Sequence, residues 1–105
     1  MNLSQLELHD ANLLGVNLDP VTRTAEVRIA YYPDEQSPER VLGVLRFSGV
    51  SQFNQLVDLE LLEEHSQFGN IISWAHEEHV GVSDIYLARG LISVTATSVE
   101  LIADV

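Results

Sequence analysis

Apolar and polar residues alternate over much of the chain, with a period of two, which is the signature of half-buried β-strands. Between Asn12 and Asp19, Leu14, Val16 and Leu18 alternate with Gly15, Asn17 and Asp19. Asp19-Pro20 ends that run, because proline lacks the N–H a ladder needs. A second run follows, with Ala25, Val27, Ile29 and Tyr31 on one face and Glu26, Arg28 and Ala30 on the other. The two runs predict a hairpin with one buried face. Pro33 to Pro38 is a polar connecting loop. Arg40 to Ser48 predicts a third strand, apolar on both faces, which points to a central position in its sheet.

The pattern breaks between Gly49 and Phe53, where Ser51 could cap a short helix. From 56 to 62 two periods compete. Val57, Leu59 and Leu61 alternate with Asp58 and Glu60, as in a strand. A helix would crowd Glu60 against Glu63 and Glu64 at like-charge spacings. The alternation favours a strand. Ser66 to Asn70 is turn-like, and Ile71 to His76 predicts a strand with Ile72, Trp74 and His76 on one face. Ile85-Tyr86-Leu87 and Leu91 to Ala96 predict a hairpin through Arg89-Gly90, with Gly90 supplying a positive φ. Val99 and Leu101 continue as an edge strand or a last short turn. The prediction is a mainly β (or α+β) fold, a single domain over 1–105. It has six to seven short antiparallel strands in a curled sheet or small sandwich, with at most one short helix.

Composition narrows the chemistry. The 105 residues contain no cysteine, which excludes disulfides, a thiolate nucleophile and cysteine-held metals. There is no lysine, so neither a Walker-type lysine nor a Schiff base is available. The six glycines are isolated, and none forms a phosphate-cradling loop. The N-terminal residues lack the basic region and apolar run of a signal peptide, and no run approaches a membrane span. These features predict a cytoplasmic protein.

Charge is the strongest deviation. Sixteen acids against five arginines give a formal charge of −11. Between Arg46 and Arg89 there is no basic residue but there are seven acids: Asp58, Glu60, Glu63, Glu64, Glu77, Glu78 and Asp84. A field of this sign repels phosphate backbones and anionic membranes and favours a basic protein surface. Trp74, within this stretch, reads either as a core anchor or as an aromatic hot spot ringed by carboxylates. The candidate partner-binding residues are therefore these seven acids and Trp74. The alternative value of the acidity is simple solubility.

Catalytic signals are weak. His76-Glu77-Glu78-His79 has the wrong spacing for the helical zinc motif, and extended backbone puts its two histidines on opposite faces. A metal site of His76, His79 and Glu64 would require the segment to turn. His9-Asp10 does not easily form the His–Asp contact of a triad, because successive side chains diverge in extended backbone; Asp10 or Asn12 more simply ties down the start of the first strand. No cofactor or catalytic residue is assigned.

Three short stretches carry a resemblance. Leu8-His9-Asp10-Ala11, Leu45-Arg46-Phe47-Ser48-Gly49-Val50 and Ile85-Tyr86-Leu87-x-x-Gly90-x-Ile92-x-Val94 resemble small bacterial β-rich proteins of the toxin-immunity type. The resemblance implies a cytoplasmic protein that binds and neutralises a toxin domain. Two other readings stand beside it: a structural module that self-associates through sheet edges as a weak homodimer, and a small metal- or carboxylate-dependent enzyme.

Overall fold

A computed structural model describes residue 3 and residues 6–103. Eight strands and one helix follow in the order β1 (Asn12–Asp19), β2 (Thr24–Tyr31), β3 (Val41–Ser48), β4 (Gln52–Leu56), α1 (Leu59–Glu64), β5 (Ile71–Glu77), β6 (Val82–Leu87), β7 (Gly90–Thr95) and β8 (Ser98–Ala103). The strands form two four-stranded antiparallel sheets, ordered β1-β2-β3-β8 and β4-β7-β6-β5. The mainly β fold read from alternation is what the chain adopts, with eight strands among the described residues where six to seven were expected. None of its helices is long and apolar enough to cross a membrane among the described residues.

The sheets are joined by strands that change sheet. β3 pairs with β8 in the first sheet, and their continuations β4 and β7 pair in the second. The bend lies at Gly49 on one path and at Ala96–Thr97 on the other, where Thr97 N donates to Ser48 O at 3.0 Å. Gly49 has φ +64, and a Cβ there would collide with Thr97 Oγ1, so the corner needs glycine twice over. Folding the ribbon brings the inner faces together. Val27, Ile29, Leu45 and Phe47 from one sheet and Ile85, Ile92 and Val94 from the other are all buried. Each such side chain contributes about 1.5–3 kcal/mol through burial.

Three expectations are corrected. Residues 56–62 are not a strand: β4 occupies Gln52–Leu56 and α1 occupies Leu59–Glu64. Asp58 caps the helix by accepting from Leu61 N at 3.1 Å, and Leu62 is buried against the core. Those two interactions outweigh like-charge repulsion of about 0.2–0.5 kcal/mol per pair. Second, Arg89, not Gly90, takes the positive φ of the β6–β7 turn, at 54°. Gly90 is needed instead because the Leu56 carbonyl lies where its Cβ would be. Third, Ile71 is buried and Ile72 exposed, because the β5–β6 register shifts between Ile71 and Ser73. Trp74 and His76 keep their inward facing. A matching shift between Leu13 and Gly15 leaves Leu14 47% exposed while Leu13 packs on the core.

The end of the sandwich beneath α1 is closed by Asn70, which is buried. Its N–H donates to Asn12 Oδ1 at 3.0 Å, and its carbonyl accepts from Ala88 N at 3.1 Å. Its side chain accepts from Leu13 N at 2.8 Å and donates to Leu62 O at 3.0 Å. Asn12 also donates to Ser66 O, so the tie at the start of β1 is made by Asn12. Asn70→Ala is expected to strand the buried Leu62 carbonyl and the part-buried Leu13 N–H and cost about 2–4 kcal/mol, roughly 10–20 °C in Tm. Ser37→Ala, in the exposed loop, should stay within about 0.5 kcal/mol. Thermal melts by circular dichroism check both.

Candidate functional site

The seven acids of the central stretch fall into two groups. Asp58 and Glu60 stand at the start of α1, and Glu63 and Glu64 at its end, with no basic residue in its last turn. Glu77 ends β5 and Glu78 follows it, six residues along the strand from Ile71, or about 20 Å at ~3.3 Å per residue. Asp84 lies between these ends, on the outer face of the second sheet, opposite Ala75 and Ser93. Arg89 shares a shallow hollow with Asp58 and Glu60. The carboxylates the fold gathers are therefore those of α1, and one arginine stands at their border.

Beside them are apolar side chains that the core does not take. Leu56 is 71% and Leu59 is 75% exposed. Next to them, the flank of the sandwich between β1 and β4 is open. It forms a groove of about 700 Å³ whose lining includes Leu13, Leu14 and Val16 on one side and Val57, Leu59 and Leu62 on the other. Glu63 and Gln55 contribute polar groups to it, and none of its lining residues is basic. A concave apolar surface bordered by carboxylates suits a ligand with both apolar and cationic groups.

Trp74 faces the interior. Its indole N–H donates to Leu6 O at 2.9 Å, and its ring stacks on His76 at 5.7 Å between centroids. His76 in turn meets Ser83 Oγ through Nδ1 at 2.8 Å. This Ser–His contact was not visible in the sequence, because it joins inward positions of paired strands seven residues apart. It opens on a small pocket of about 180 Å³ that Glu78 also borders. Among the described residues no carboxylate bonds the other ring nitrogen of His76. Without such an orienting group the pair reads as two polar side chains satisfying each other in the core.

The other histidines are dispersed. His79 lies in the exposed β5–β6 turn, and Glu64 at the opposite end of that sheet. Among the described residues no three His, Asp or Glu side chains gather as a metal site requires. Comparison with family models, curated proteins and solved structures finds no match to this chain.

His9 has a structural part. Its Nδ1–H donates to Ile72 O at 2.9 Å. The divergence expected of adjacent side chains is corrected here: Asp10 takes a φ of 66° rather than an extended backbone, and His9 Nε2 lies 3.5 Å from Asp10 Oδ1. The Ile72 carbonyl first, and then Asp10 and Glu7, favour the protonated ring and raise its pKa above 6.5. A raised histidine pKa contributes stability that is complete below about 6.5 and is lost as pH rises through the raised value. The ring is largely exposed, so the effect is small. Denaturant midpoints should therefore fall slightly between pH 6 and 8 in the wild type, and His9→Gln should flatten that part of the profile.

Proposed function

We propose that this chain is an acidic protein-binding domain that docks a basic partner through α1 and the apolar surface beside it. The observation that carries this reading is the unbalanced helix. Glu60, Glu63 and Glu64 lie at like-charge spacings on six residues, with no cation in the last turn, next to the exposed Leu56 and Leu59. Mutual repulsion of this kind destabilises the free protein by a few tenths of a kcal/mol per pair and is relieved when a cationic surface approaches. Exposed leucines at the same place supply contact area that charges alone lack.

The resemblance to toxin-immunity proteins gives this reading its biological form: a cytoplasmic inhibitor that covers a basic toxin or nucleic-acid-acting protein. The net charge of −11 supports it by steering such a partner in and keeping nucleic acid away. Glu77, Glu78 and Asp84 lie outside the docking surface so defined. Self-association through sheet edges is the second reading. β4, a sheet edge without a charged residue, favours it, and repulsion between two copies of this charge opposes it.

Isothermal titration against candidate basic partners, at low and high salt, tests the proposal. Wild type should bind with an affinity that falls steeply as salt rises. Replacing Glu60, Glu63 and Glu64 together by Gln should weaken binding about tenfold or more and flatten the salt dependence. Binding that ignores both salt and the triple variant would overturn the proposal.

A further inference from the structure

The two sheets end in four edge strands: β1, β8, β4 and β5. An edge strand presents unpaired N–H and C=O groups along one side, and proteins blunt such edges with bulges and charges. β1 has the irregularity at Leu14 and carries Asp19. β5 has the irregularity at Ile72 and carries Glu77. β8 is regular but carries Glu100, and Gly81 of the β5–β6 turn bonds Ala96 just before its start. β4 has none of these devices. Its sequence is Gln-Phe-Asn-Gln-Leu, and its five pairs with β7 are in unbroken register. Its residues are exposed except for the half-buried Phe53.

This unguarded edge borders the open flank of the sandwich, where Gln55 lines the groove between β1 and α1. We infer that the flank is a strand-addition site. An extended segment of a basic protein pairs its backbone with β4 and lays alternate side chains into the groove, against Leu13, Leu14, Val16, Val57 and Leu62. The inference deepens the acidic docking reading and rests on it for the charge of the partner. β4 spans about 17 Å at ~3.4 Å per residue, so about five residues of the segment are paired.

Charge gives the groove a direction. Its α1 end has Glu63, with Glu60 and Glu64 on the same helix. Beyond its other end stands Arg23, whose Nε donates to Val50 O at 3.0 Å beside the start of β4, and the Arg28 guanidinium packs over Gly15 along the β1 wall. The segment that fits has its lysine or arginine at the end beside α1. A second copy of this chain fits poorly, because β4 brings no cation of its own to Glu63 and each copy carries a net charge of −11.

Affinity selection of a random seven-residue peptide library on the wild-type protein tests the inference, followed by fluorescence anisotropy on wild type, Leu14→Lys and Glu63→Lys. Leu14 is half exposed and Glu63 is exposed, and circular dichroism melts verify that both variants fold. The recovered peptides should alternate apolar with polar residues and carry a cation at one end. Their affinity should fall about tenfold or more on either variant. N-methylation of the peptide backbone at alternate residues should abolish binding in one phase and spare it in the other, because only one set of N–H groups faces β4. Failure to recover such peptides, binding to either variant as tight as to wild type, or indifference to N-methylation would overturn strand addition. Salt-sensitive binding of basic proteins that persists in Leu14→Lys would overturn the groove while leaving the acidic docking reading intact. A concentration-dependent dimer in light scattering, lost in Leu14→Lys, would assign the groove to a second copy and equally overturn the inference.

Discussion

The structure depends on a single bent ribbon. Two chain paths, 41–56 and 90–103, pair along their length and turn together from one sheet into the other. The turn is possible because Gly49 adopts a positive φ and leaves room for Thr97. Bending the ribbon places Phe47 and Leu45 of one sheet over Ile92 and Val94 of the other, so one backbone bend helps create both layers and the core between them. It also decides where the molecule stays open. β2 with β1 and β6 with β5 extend the layers on either side of the ribbon, and β4, at the border of the second sheet, is left without an outer neighbour.

The opposite end is closed by polar bonds rather than by packing. Asn70 joins β1, α1 and the β6–β7 turn, with its backbone and side-chain groups all paired. Arg40 adds bonds to the Asp10 and Gln67 carbonyls of the same junction. This closure holds α1 across the end of the sheets and fixes its acidic face beside the groove. A buried amide of this kind has few alternative partners, so it specifies one docking of the helix as well as stabilising it.

Central strands were legible in the sequence because burial on one or both faces enforces the period: Ala25 to Tyr31, Val41 to Ser48 and Leu91 to Thr95 lie where alternation put them. Edge strands were less so. The extra residues at Leu14 and Ile72 shift the facing of their neighbours, and a bulge leaves no mark in hydrophobicity. The helix had a signal, Asp58 three residues before Leu61, but a six-residue element is too short for its period to overrule a competing alternation. The acids were visible as residues, and their grouping was not. Glu63 and Glu77 share a charge-rich stretch of sequence but sit at opposite ends of a sheet, because β5 runs between them. The Ser83–His76 contact was hidden for the same reason, since only strand register brings the two together.

What emerges is a small acidic sandwich with one guarded and one unguarded flank, the unguarded one bordered by a helix with no cation in its last turn. The proposed docking depends on β4 being a free edge open to strand addition. Amide hydrogen exchange, resolved by residue with and without the bound partner, measures that directly. In the free protein the outward amides of Gln52–Leu56 should exchange fast while those of Ile92 and Val94 are protected, and binding should slow the β4 amides to the same range. Protection of β4 equal to that of β7 in the free monomer, or no change in β4 on binding, would contradict it.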